Sequence, residues 1–193
     1  MAKARPIRGL DPHALTGQNA RIIARIRLED MYSWDDAVDE PYRIHELHNL
    51  RIATKRLRYT FEVFAAVLPG ECAEIVKELT KIQDELGALH DSDVLIALLR
   101  LCLGSEDSGM LYEQALVEAG GQDGKGKTLV PTELVADVVD PVVAPTPEER
   151  YGLEQLLSSL QQQREEQYTS FRQHWYQLQS RDFRGEILRL LTL

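Results

Sequence analysis

The stretch HNLRIATKRLRYTFEVFAAVLPG, residues 48–70, decides the fold. Placed on a helical wheel with His48 at zero, Arg51, Lys55, Arg58 and Tyr59 fall at about 300°, 340°, 280° and 20°. Leu50, Ala53, Leu57, Phe61, Phe64 and Leu68 fall between about 140° and 220°, on the opposite side. One helix therefore carries an apolar stripe for a core and a separate cationic stripe. The run 42–68 has no Gly or Pro and stops at Pro69-Gly70, a strong helix terminator. A second long helical run, 71–103, begins at once and ends at Gly104. So tight a joint predicts two long helices folded back as an antiparallel hairpin.

Working outward, residues 1–13 read as an irregular tail, and about 15–31 show helical spacing with Ile22 and Ile26 on one side. Arg21 and Arg25, one turn apart, share another side of that helix. The turn-rich SWDDAVDEP ends at Pro41, which suits the first turn of the next helix. Residues 104–146 read as an insert with a Gly/Lys-rich loop. Thr146-Pro147-Glu148-Glu149 then forms a capping box, with Thr146 at N-cap and Glu149 three residues on. It opens a helix to about Ser180, with Leu153, Leu157, Leu160, Arg164, Tyr168, Phe171, Trp175 and Leu178 at spacings of three and four. A short apolar helix, about 182–192, closes the chain through Phe183, Ile187, Leu190 and Leu191. No strand alternation stands out beyond the insert. The expected fold class is all-α: an antiparallel four-helix bundle of long helices in one domain, with a short C-terminal helix and an acidic insert.

The chain has 193 residues and a net charge of −9, with 44% hydrophobic and 27% charged residues. These are ordinary values for a globular protein, and they argue against disorder and against nucleic-acid binding through overall positive charge. The charge is uneven. Between Gly104 and Arg150 ten acidic residues face three basic ones, a net −7, which leaves a nearly balanced body of 19 basic and 21 acidic residues. Local charge decides what such a body binds. No apolar run is long enough to span a membrane, and the basic N-terminus has no apolar segment behind it to make a secretion signal. Cys72 and Cys102, on one helix, stand about 45 Å apart and cannot pair within the chain. A reducing cytoplasm fits them.

Like charges at positions three and four apart repel, so the cationic stripe needs acidic neighbours or an anionic ligand. On the third helix Lys77 and Lys81 are neighbours that extend the cationic surface if they face the second helix. Asp84 and Asp91 share their arc as local neutralisers. His90 and Asp93 lie on the apolar side with Ile75, Leu79, Ile82 and Leu86; Asp93 is expected to hold an Arg or a helix end there, and His90 to be a core histidine. Residues 121–128 match the phosphate-cradling GxxxxGK[ST] pattern, but without the strand before it or the helix after it that the chemistry requires. His45-Glu46-Leu47-His48 has the wrong spacing for a zinc-binding HExxH, so no metal or cofactor is expected. Few aromatics interleave with the basic stripe, and Tyr59 alone is a thin platform for stacking RNA bases.

His48 to Tyr59, followed by Leu79-Thr-Lys81-Ile-Gln83-Asp84-Glu-Leu86-Gly87-Ala-Leu-His90-Asp91-Ser-Asp93-Val94, resembles the CHAD family. Trp175 and Phe183-Arg184-Gly-Glu-Ile-Leu are loosely similar to its closing helices. That resemblance implies an all-α domain that binds inorganic polyphosphate in a basic channel without catalysis. It implies anion contacts at His48, Arg51, Lys55, Arg58, Lys77 and Lys81; Tyr59, Arg21 and Arg25 complete the candidate set. The family's usual two related bundles are represented here by one signature, which implies a homodimer that rebuilds the channel. A linear polyanion has no base edges to read, so an array of forked Arg and point-charge Lys donors suits it, with a protonated His48 adding to it at mildly acid pH. The two rival readings are a phosphoanhydride-acting enzyme using the 121–128 loop, and a structural adaptor whose charges are paired internally. The acidic insert is a candidate to occupy the basic face as a mimic of the ligand.

Overall fold

A computed structural model describes residues 4–103 and 145–192 of the chain. The described residues form α-helices, one 3-10 helix and turns: α1 (Thr16–Tyr32), the 3-10 helix Asp35–Asp39, α2 (Ile44–Val63), α3 (Cys72–Cys102), α4 (Pro147–Ser180) and α5 (Phe183–Leu190). This is the all-α class read from the sequence. The insert and its 121–128 loop lie outside the described residues.

By contacts the chain divides into two compact units. The described part of the larger comprises residues 4–87 and 169–192. Its core begins with Ala20, Ala24, Leu28 and Met31 of α1, spaced so that small residues let α2 approach closely. α2 answers with Leu47, Leu50, Ala53, Leu57 and Phe61. The two run antiparallel: Asp30, late in α1, lies 3.8 Å from Arg56 of α2, while Gly17, early in α1, abuts Val67 just beyond α2. Thr54 and Thr60 are buried because each hydroxyl donates to a carbonyl one turn back, Leu50 and Arg56, at 2.9 and 2.8 Å.

Two boundaries differ from the sequence reading. α2 ends at Val63 and the chain turns through Phe64–Val67, so Phe64 is half-buried rather than part of a continuous stripe to Leu68. Phe64 takes φ −101° and ψ 16°, outside helical geometry, ahead of the extended bias that Pro69 imposes. Pro41 lies in a turn ahead of Ile44 instead of in the first turn of α2, because the preceding residues wind into the 3-10 helix.

The C-terminal part of α4 brings Phe171, Trp175 and Leu178 into this core, and α5 adds Phe183 and Ile187. The Trp175 ring lies 5.7 Å from that of Tyr32 and 6.1 Å from that of Phe171, both tilted, and its indole N–H donates to Asp35 at 2.7 Å. The 3-10 helix is thus pinned by its acids. Asp39 accepts from Tyr176 at 2.6 Å and from Arg172 at 2.8 Å, which together hold its carboxyl below the usual range. α5 starts from Asp182 in the left-handed region at φ 58°, where its carboxylate accepts from the Gly185 N–H at 3.2 Å. A Cβ on Gly185 would collide with that carboxylate, so glycine is required for the cap.

The described part of the other unit is residues 88–103 and 145–168. The predicted capping box opens α4: the Thr146 N–H donates to Glu149 at 2.8 Å, and the Glu149 N–H donates back to the Thr146 hydroxyl at 3.3 Å. Leu89, Ile96, Ala97, Leu103 and Tyr168 are buried. Arg164, a polar residue within the apolar repeat of α4, donates through Nε to Asp93 at 2.7 Å, both side chains being at least nine-tenths buried. The partner expected for Asp93 is therefore an Arg. Ser92 donates to Gln167 at 2.8 Å beside them.

Candidate functional site

Burial of the apolar side of α2 turns Arg51, Lys55, Arg58 and Tyr59 to its other face. Arg51 is half-buried and lies over Gly87 of α3, where an added Cβ would sit 3.6 Å from its Nε and 3.8 Å from its Nη2. Glycine leaves α3 flat there, and the guanidinium rests on it. Its Nε is buried without a hydrogen-bond partner, and no ion pair holds Arg51 among the described residues. Lys55 is exposed and likewise without an ion pair among the described residues; its Nζ stands 5.5 Å from the Tyr59 ring centre. The Arg58 guanidinium lies 4.7 Å from the same ring. Tyr59 therefore gathers two cations that would otherwise repel, each contact contributing about 0.5–1 kcal/mol at exposed sites.

Arg58 is more restrained than the other two. Nε donates to Gln83 of α3 at 3.0 Å, and Nη1 donates to Glu62, one turn along α2, at 2.6 Å. Glu62 was not visible as part of the site in the sequence, although its position four residues after Arg58 is the available signal. His48 is half-buried one turn before Arg51. Arg56, off the cationic arc by about a quarter-turn, is drawn to Asp30 instead. Asp30 is buried with Arg5, Arg27 and Arg56 at 3.8–4.0 Å, which makes Arg56 part of the α1–α2 packing.

The remaining candidates sit elsewhere. α3 offers Gln83 and Gly87 to α2, while Lys77 and Lys81 occupy an arc roughly 80–160° away on the same helix. Lys77 pairs with Glu74 at 2.8 Å rather than with Asp84, and Lys81 is exposed with no ion pair among the described residues. Arg21 lies by the α2–α3 turn, near Gly17 and close enough to Cys72 to lower its thiol's pKa. Burial first, and then Glu71, nevertheless push that thiol up, which leaves it a poor nucleophile. Arg25 donates to the Leu191 carbonyl at 3.1 Å, beside the end of α5. The structure thus brings Arg51, Lys55, Arg58 and Tyr59 together. It places Lys77, Arg21 and Arg25 among other contacts, and Lys81 exposed on the Lys77 arc of α3. Among the described residues no group of three or more His, Cys, Asp or Glu side chains is arranged to hold a metal ion.

The family model of the CHAD domain matches residues 2–100, about half of the chain. The chain belongs to the CHAD-domain family. The matched span contains α1, α2 and nearly all of α3, and with them all nine candidate residues. The CHAD match stops short of α4 and α5, so Arg164, Arg172, His174 and Trp175 lie outside it. Neither a curated protein nor a solved structure matches the chain. CHAD domains are a family associated with polyphosphate binding. No helix among the described residues is long and apolar enough to cross a membrane.

Proposed function

We propose that this CHAD domain binds inorganic polyphosphate, or another extended polyanion, along the outward face of α2, and performs no chemistry on it. The observation that carries the reading is the state of Arg51 and Lys55, which stand on that face without a carboxylate partner among the described residues. A structural salt-bridge face would neutralise its cations; these two are held in place by Gly87 and Tyr59 and remain unneutralised. Arg supplies forked donors to phosphate oxygens and Lys a point charge. Helical spacing presents a cation about every 5 Å along the face, which suits a repeating anion. Free Cys72 and Cys102 are consistent with a reducing compartment such as the cytoplasm. A homodimer supplying a second basic helix is the expected assembly, and light scattering with and without polyphosphate tests it.

The adaptor reading draws support from Arg58–Glu62 and Lys77–Glu74, which are internal pairs. One titration separates the two. Long-chain polyphosphate is titrated calorimetrically into wild type and into Arg51→Ala/Lys55→Ala/Arg58→Ala at two salt concentrations, with short RNA as control. Binding that weakens with salt, favours polyphosphate and disappears in a triple variant of unchanged helicity supports the polyanion site. Absence of wild-type binding, or equal binding by the variant, overturns it in favour of the adaptor.

A further inference from the structure

We infer that Glu62 competes with the ligand for the anion site: its carboxylate holds Arg58 and must leave before that guanidinium forks onto a phosphate. The inference rests on the polyphosphate reading above. Of the three Arg and Lys candidates on the α2 face, Arg58 alone has a carboxylate partner among the described residues, 2.6 Å from Nη1. Nε is already committed to Gln83 at 3.0 Å, and the guanidinium lies 4.7 Å from the centre of the Tyr59 ring. A forked bond to phosphate uses two neighbouring N–H groups, and with Nε on Gln83 the remaining pair is Nη1 and Nη2, of which Glu62 holds Nη1.

The pair is built to open. The Glu62 side chain is 38% exposed and that of Arg58 18%, so the carboxylate is the partner free to swing into water. Gln83 and the Tyr59 ring keep the guanidinium where it is when Glu62 leaves. Arg preceding Glu at i, i+4 is also the weaker order for a helical ion pair, because it sets both charges against the helix dipole. A polyanion brings many charges to this face and displaces one carboxylate; a single small anion brings few. Glu62 thereby keeps Arg58 neutralised until a polyanion arrives and raises the charge density a ligand needs.

The test titrates long-chain polyphosphate into wild type, Glu62→Gln, Arg58→Gln and Glu62→Gln/Arg58→Gln at several salt concentrations. Glu62→Gln is expected to tighten binding about threefold to tenfold, the worth of an exposed ion pair no longer broken together with one less repelling charge. The slope of log affinity against log salt should change by less than the worth of one phosphate contact, about 0.7–0.9, because Arg58 meets phosphate in both complexes. In the Arg58→Gln background the same change should give less than about twofold. Arg58→Met, which keeps an unbranched stem suited to a helix but carries no charge, replaces Arg58→Gln if circular dichroism shows helix loss. Unchanged affinity in Glu62→Gln, or an equal gain without Arg58, overturns the inference while wild-type binding leaves the polyphosphate reading standing. Wild type that binds at no salt concentration overturns both.

Discussion

Asp93→Ala removes the carboxylate nearest the buried Nε of Arg164, and its cost can be worked from the geometry. Nε of Arg164 lies 2.7 Å from the Asp93 carboxylate, with side-chain exposures of 4% and 6%. Removing one partner of so buried a pair typically costs about 3–5 kcal/mol. Glu165, half-exposed and 4.0 Å from Nη1, is a weak substitute, so the expected loss is at the lower end, about 3 kcal/mol. For a chain of this size that lowers Tm by about 6–12 °C. Burial raises the Asp93 carboxyl above its ordinary range even though Arg164 pulls it down, so the ionised pair is costly to break without being a large net gain. Asp93→Leu/Arg164→Met, which removes both charges, should return to within about 1 kcal/mol of wild type. Urea unfolding followed by helical circular dichroism, with unchanged m-values, measures all three proteins. A loss below about 1 kcal/mol in Asp93→Ala, or a double variant no better than the single, would refute this reasoning.

The same carboxyl has a pH signature. It binds its proton more tightly folded than unfolded, so its contribution to stability falls as pH rises from the usual aspartate range through the raised value, and Asp93→Asn should flatten that slope in pH-dependent urea melts. Glu149 behaves oppositely: the Thr146 N–H and hydroxyl lower its carboxyl, so its stabilisation is full above the ordinary glutamate range and is lost as pH falls through the lowered value. Wild type should lose that increment on acidification and Glu149→Gln should not, read by helicity. Gly185→Ala should cost about 1 kcal/mol, since the new methyl evicts the Asp182 cap of α5; unchanged thermal stability would mean that the cap is idle. Trp175→Phe keeps an aromatic ring beside Tyr32 but removes the donor to Asp35, and a loss of about 1 kcal/mol is expected because Gln179 still donates to that carboxylate at 2.9 Å.

Much of the helical scaffold is legible because its signals are local. The capping box at Thr146–Glu149, the end of α4 at Ser180 and the limits of α3 follow from neighbours a few residues apart. The same locality explains the misreadings. Pro69-Gly70 marks a stop, but the turn beginning at Phe64 has no Gly or Pro of its own, and Pro41 was free to belong to either side of its joint. Of the candidate site, the α2 cluster was legible because helical spacing alone puts Arg51, Lys55, Arg58 and Tyr59 on one arc. Which cations are neutralised was not. Arg56 and Arg58 carry the same charge two residues apart, yet one meets Asp30, 26 residues earlier, and the other Glu62 and Gln83.

The sequence by itself therefore determined the all-α class, the two-sided character of α2 and the family, since periodicity, capping and motif order are properties of residues near one another along the chain. Tertiary structure alone decided the electrostatics: that Arg164 reaches Asp93, that His174 lies between Glu85 at 2.7 Å and Glu78 at 3.2 Å, and that Arg51 rests on Gly87 with no ion pair among the described residues. Coulomb energy depends on distance and on exclusion of water, and neither exists for residues far apart in sequence until the helices pack.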